Sequence, residues 1–268
     1  MDLLAAALLG VVQGLTEFLP VSSSGHLILA RAFFGWDAGR FGLAFDIACH
    51  VGTFLAVAIF FRRDLIEMTA ALPGALSGRD GARERMVRLI LAGTVPIVVV
   101  ALLFGEALEA VRSPAVIAVT LAIGGIGLII AERLGAQTRD EHAIGYGEAV
   151  AIGCAQALAL IPGISRSGAT LTLALLLGLR RERAARFVFL MSLPAVFAAA
   201  AREALMMREV GTDGLPVTLL AVGLVVSGVV GYLTIKFFLR YLANHSLAVF
   251  AYYRFALSAV TVAWLLTR

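Results

Sequence analysis

The chain has 268 residues, 60% of them hydrophobic, a mean hydropathy of +0.94 and a net charge of +4. That much apolar surface exceeds what a soluble core of this size can hide, so the bilayer is the expected solvent. The small positive charge, scattered through the loops, fits orientation in a membrane and offers no basis for nucleic-acid binding. Cys49 and Cys154 sit singly in apolar segments without CxxC spacing, so neither a disulfide framework nor a zinc site is indicated.

The first apolar stretch, 3–12, follows Asp2 rather than a positive region and leads into Gln13 and Glu17 rather than a cleavage site, so it is expected to stay in the fold. A polar string then intervenes, with Pro20 disfavouring continuous helix, before a short apolar piece at 27–34. Helix, break and short helix is the pattern of a re-entrant hairpin. Three stretches long enough to cross follow, at 41–61, 86–108 and 114–132. The same order then recurs: a second hairpin over 143–179, broken at Pro162, and spans at 184–205, 215–239 and 247–266. The expected fold is an all-α integral membrane protein of six transmembrane helices and two re-entrant hairpins. It divides into a first repeat, 1–135 with its hairpin at 1–34, and a second, 136–268, which form one structural unit.

The two polar strings are copies. Set 143 positions apart, Gly10 to Leu27 and Gly153 to Thr170 match at Gly10/Gly153, Gln13/Gln156, Leu15/Leu158, Ser22/Ser165, Ser24/Ser167 and Gly25/Gly168. Irregular, hydroxyl-rich backbone survives at membrane depth only when enclosed in protein or lining a wet cavity, so one chamber made from two halves is expected. Three spans per half invert the second copy. With residue 1 outside, fourteen basic residues, among them Arg79, Arg83, Arg85, Arg88, Arg180 and Arg183, fall on the cytoplasmic side. Six fall opposite, namely Arg31, Arg40, Arg112, Arg202, Arg208 and Arg268, and Arg166 and Arg254 lie within the membrane region.

Gln13 and Glu17, four apart, share a helix face. A carboxylate there costs about 3 kcal/mol to insert, which makes Glu17 a functional candidate, the alternative being a residue at a wet mouth that only caps or pairs. Ser22, Ser23 and Ser24 can cap the short helix that follows, and Ser23 and His26, three apart, can share a face. Hydroxyl, imidazole and carboxylate are the inventory of nucleophilic or acid–base catalysis. In the second string Ser165 can cap, and the amides of Ser167, Gly168 and Ala169 would offer an anion site at a helix N-terminus. Arg166 adds a forked cation suited to phosphate, or alternatively an ion pair to Glu17 that joins the repeats. Asp46 and His50 could hydrogen-bond on one helix face, Gln156 could satisfy backbone at the break, and Arg254 could brace helices or reach the chamber from behind. The glycine runs at 124–127 and 223–231 fit close helix contact.

The assembled motifs resemble the bacterial undecaprenyl-diphosphate phosphatases associated with bacitracin resistance. The string GxTEFLPVSSxGH stands at Gly14 to His26 and PGxSRSGAT at Pro162 to Thr170; Phe45-Asp46, His50-Val51-Gly52-Thr53 and Tyr253-Arg254-Phe255 also fit. The resemblance implies removal of the terminal phosphate from undecaprenyl diphosphate on the outer, periplasmic side of the bacterial cytoplasmic membrane, recycling the carrier lipid for peptidoglycan. It also implies a divalent cation, Mg2+ or Ca2+, held by Glu17; the family's first string often opens with glutamate where this chain has Gln13. On this reading Arg166 holds the diphosphate, and Ser22, Ser165, Ser167, Gly168 and Thr170 surround it. Ser23 is then the nucleophile with His26 handling its proton, or His26 is itself the nucleophile. The partners are the substrate lipid and the surrounding membrane lipids, with a homodimer left open. The rival function is a polyprenyl-lipid flippase or anion transporter, since broken helices in inverted repeats also bind carried anions.

Overall fold

A computed structural model describes residues 2–36, 41–210 and 217–268, so Arg40 and residues 215–216 of the fifth expected span lie outside it, as do the side chains of Arg202 and Arg208. The described residues form helices and no β-strand; a single bridge pairs Arg139 with Leu179. The helices are α1 (Asp2–Thr16), α2 (Ser23–Phe34), α3 (Leu43–Phe60), α4 (Arg62–Leu76), α5 (Ala82–Ala110), α6 (Pro114–Leu134), α7 (Tyr146–Leu158), α8 (Arg166–Leu176), α9 (Arg181–Val210), α10 (Val217–Leu242) and α11 (Ala248–Leu266). Five of these, α5, α6, α9, α10 and α11, contain segments long and apolar enough to cross a membrane. A sixth span arises if α3 and α4, bent by 81° at Phe61, count as one.

Helix α4 has no counterpart among the expected elements. Its first turns carry Arg62, Arg63, Asp64 and Glu67, a polar run that reads as a loop, yet it packs along α5. Sequence boundaries elsewhere differ mainly at polar ends, where α5 begins at Ala82 and α9 at Arg181 rather than where hydropathy rises.

Lipid-facing and protein-facing sides separate cleanly on α10. Val225, Val229, Leu233 and Phe237 recur every four residues and are each more than half exposed, whereas Gly223, Ser227, Gly231 and Thr234 are buried against α1 and α3. Small residues there let backbones approach, and Ser227 Oγ donates to the Cys49 carbonyl at 2.9 Å. The partners are exchanged between the two strings: α1 lies against α10, α7 against α5, and α6 against α11. The main apolar cluster gathers Phe18, Val57, Phe61, Phe187, Phe189 and Phe238 with Leu171 and Leu175 around α8 and α9. Ahead of α7, Arg139 forks onto Glu148 at 2.7 and 3.0 Å and donates to the Leu177 carbonyl at 2.7 Å, so it ties the start of α7 to the end of α8. That bonding raises the already high pKa of the Arg139 guanidinium.

The chain breaks between α1 and α2 and between α7 and α8 expose carbonyls with no helical partner, and one side chain collects them. Arg254 of α11 is fully buried and donates to the carbonyls of Pro20, Gly163 and Ile164 from the two breaks and of Thr120 and Leu121 from α6, all at 3.0–3.1 Å. Arg254 thus ties α11 to both breaks and to α6. Gly124 makes the room, because a Cβ there would stand 1.9 Å from Arg254 Nη2. Gly163 is needed twice over: its φ is +89°, and a Cβ would meet Thr120 Oγ1 at 2.0 Å. Gly163→Ala is expected to cost about 2–4 kcal/mol through left-handed strain and overpacking. Thermal unfolding of the purified protein checks this, and an unchanged melting point would contradict it.

Candidate functional site

Both short helices after the breaks start in the same way. Ser22 (φ +75°) and Ser165 (φ +72°) are N-caps in the left-handed region, and each hydroxyl accepts from the amide three residues on, Gly25 N at 3.4 Å and Gly168 N at 3.1 Å. Serine rarely adopts this φ, so the two turns hold local strain that their capping bonds offset. The consequence is a sharp reversal that aims both helix starts at one place.

Glu17 stands where they meet, with its side chain only 5% exposed. Its Oε1 accepts from Arg166 Nη2, while its Oε2 accepts from Gln13 Nε2 at 2.9 Å and from Ser23 Oγ at 2.6 Å, with His50 Nε2 at 3.8 Å. A hydroxyl donating to a carboxylate at such a distance has a ready acceptor for its proton. Gln13 is fully buried and its Oε1 has no partner; Gln156, its equivalent in the second string, is also fully buried, with neither amide atom bonded. The bond expected between Gln156 and the break is therefore absent.

A cavity of ≈ 200 Å³ opens onto this centre, lined by Glu17, Ser22, Ser23, Asp46, His50, Ser165 and Arg166 among others. A second, water-sized space of ≈ 20 Å³ lies along Glu17 and Arg166 toward Thr53, Ser167, Thr170 and Ser192. The six expected phosphate contacts thus divide. Ser22, Ser165 and Arg166 face the larger cavity. Ser167 and Thr170 face the smaller one, their hydroxyls donating to the carbonyls of Leu19 (2.9 Å) and Arg166 (2.7 Å). Gly168 contacts neither cavity; its amide serves the Ser165 cap and its Cα faces Arg254. Ala169 N bonds the Ser165 carbonyl at 2.9 Å, so of the three amides expected to bind an anion only that of Ser167 stays at the open helix end.

His26 is not brought to Ser23. Its Nδ1 lies 2.7 Å from the Ser22 carbonyl and its Nε2 2.7 Å from Tyr253 Oη, with the two rings stacked 5.6 Å apart, and it lines neither cavity. Three residues along a helix turn the side chain onto α11 instead, a direction fixed by a partner 227 positions away. Asp46 and His50 do hydrogen-bond along one helix face, through the Asp46 carbonyl rather than its carboxylate. Arg31 takes the Asp46 carboxylate in a fork at 2.9 and 2.8 Å, leaving His50 Nδ1 on the Asp46 carbonyl at 2.8 Å. Arg31 and Ser192 are site neighbours that the sequence reading missed, and Tyr253 entered it only as part of a motif, without its contact to His26.

Fold and cavity together define a polytopic helical membrane protein with a polar cavity, lined by a carboxylate, serine hydroxyls and an arginine, at its two chain breaks. The chain belongs to the bacitracin resistance protein BacA family, whose profile matches residues 6–260. It is 52% identical over 273 residues to the undecaprenyl-diphosphatase of Rubrobacter xylanophilus, covering 99% of each chain. It is 43% identical to the undecaprenyl-diphosphatase of Trichlorobacter lovleyi, covering 96% of this chain and 94% of that one. Against undecaprenyl-diphosphatase 2 of Stutzerimonas stutzeri the identity is 45%, over 97% of both.

Proposed function

We propose that this chain is a membrane phosphatase that hydrolyses undecaprenyl diphosphate to undecaprenyl phosphate and inorganic phosphate. One observation carries the reading: a serine hydroxyl, a carboxylate and an arginine converge in a single cavity, within a chain similar along its whole length to proteins of that name. Ser23 Oγ attacks the terminal phosphorus and its proton passes to Glu17 Oε2. The bond from that phosphorus to the bridging oxygen breaks, and the bridging oxygen departs on undecaprenyl phosphate. Water then attacks the phosphoserine, the Ser23 oxygen leaves and takes back the proton held on Glu17, and inorganic phosphate is released. Arg166 draws the phosphoryl oxygens in and balances their charge. His26 acts indirectly here, holding the start of α2 through Ser22 and Tyr253, so that Glu17 takes over the proton role expected of the histidine.

The donor set suits a divalent cation shared with substrate. Among the described residues no three His, Cys, Asp or Glu side chains could hold a metal by themselves. Glu17 would supply the carboxylate oxygens for such a cation; the Gln13 amide turns its nitrogen, not its oxygen, toward Glu17, and Gln13 lines neither cavity. Bound there, Mg2+ or Ca2+ would neutralise phosphate charge.

The membrane arrangement belongs to the same proposal: six spans and two re-entrant hairpins, as two inverted repeats of 1–135 and 136–268. Matched serine caps and the exchanged pairing of α1 with α10 and α7 with α5 support it. The cavity takes in Arg112, just beyond the end of α5, whereas Arg83, Arg85 and Arg88 occupy its start, about 40 Å away for a helix of that length. With arginines kept inside, the cavity opens to the periplasm. Chelator-sensitive phosphate release from undecaprenyl diphosphate by the purified protein tests the activity; lipid scrambling without release would instead select a flippase. Ser23→Ala is expected to lower release by at least 10²-fold with His26→Ala milder, and the reverse order would remove Ser23 from its place.

A further inference from the structure

A second arginine reaches the same cavity. Arg112 sits in the short link between α5 and α6 and lines the cavity with Ser22, Ser23 and Arg166. Its corner is fixed, because Ser113 caps α6 by accepting from Val116 N at 3.3 Å, with Pro114 at the first helical position. Among the described residues, Arg166 is bound to Glu17 and Arg31 to Asp46, whereas no side chain or carbonyl engages the Arg112 guanidinium. Among the described residues it is thus the cavity's uncommitted arginine.

Position and surroundings say which part of a substrate it meets. The reacting phosphoryl group must lie against Ser23, Glu17 and Arg166. Apolar residues line several sides of the cavity, among them Leu27 and Ile28 of α2, Leu160 of the second break, Ile97 of α5 and Val196 and Ala199 of α9. Arg112 lines the same cavity as Ser23 and Arg166, so the second phosphoryl group of a diphosphate seated there has a cation of its own to meet. We propose that Arg112 binds the lipid-bearing phosphoryl group of a diphosphate, making the site a two-arginine clamp selective for diphosphates over monophosphates; this rests on the phosphatase reading. When the phosphoric anhydride breaks, the negative charge gathers on that departing group, and a forked cation there favours its departure.

Binding of inorganic pyrophosphate and of inorganic phosphate is measured calorimetrically on the full-length detergent-purified protein, without turnover, so the outcome stands apart from the phosphatase activity. Arg112→Ala is expected to weaken pyrophosphate about tenfold and phosphate less than twofold, with Arg112→Lys intermediate and the melting temperature of all three proteins equal. In turnover of farnesyl diphosphate the same variant raises KM by a similar factor. Equal weakening of both anions, or none, would overturn the inference. Intact pyrophosphate selectivity lost only through Arg112, in a protein that releases no phosphate, would uphold the clamp and sink the enzyme reading separately.

Discussion

Arg254→Met is expected to unfold the protein's centre, lowering stability by about 3–5 kcal/mol and the melting temperature by on the order of 10 °C. The side chain contributes six hydrogen bonds to five carbonyls, and two of the chain segments it joins cannot find substitutes at membrane depth. A buried carbonyl left unbonded costs about 1–3 kcal/mol, so even partial relaxation leaves a large loss. Arg254→Lys keeps the charge but presents three donors from one point, which cannot reach both breaks and α6 together. It is expected to recover less than half of the stability. If lysine restores the melting point fully, charge alone matters and the clamp geometry is wrong.

Breaking the Glu17 to Arg166 contact is expected to have the largest effect on turnover. Glu17→Gln and Arg166→Ala should each reduce phosphate release by about 10²- to 10⁴-fold, since on the proposed mechanism one removes the acceptor for the Ser23 proton and the other the guanidinium that would meet phosphate. Because both belong to one assembly, the double variant is expected to lose little more than the worse single one. The exchange Glu17→Arg with Arg166→Glu separates site from bridge. It should recover folding without recovering activity, and a swap that restores release would mean that the contact only ties helices together.

Much of this arrangement was legible because its causes are local. The helices stop at Thr16 and Leu158, four residues short of Pro20 and Pro162, and Ser22 and Ser165 declare where the next ones begin, so both chain breaks could be placed from the string alone. Glu17 stood out because a carboxylate in an apolar segment demands a reason. What escaped depends on distant partners. The direction of His26 is set by Tyr253, the engagement of Asp46 by Arg31, and the division of Ser165 from Ser167 and Thr170 by which side of the Glu17 to Arg166 contact each helix face meets. Helix α4 escaped for another reason: its early charges mask its apolar residues, and the 81° bend at Phe61 leaves no trace in composition.

The size of the larger cavity has a consequence for what the protein can recognise. At ≈ 200 Å³ it accommodates a charged head and a few carbons, and the rest of a fifty-five-carbon polyprenol must trail between helices into the acyl chains. Tail length then changes how well a molecule partitions into the bilayer but not how it seats, so shortened isoprenoids should remain competent guests once they are dissolved at sufficient concentration.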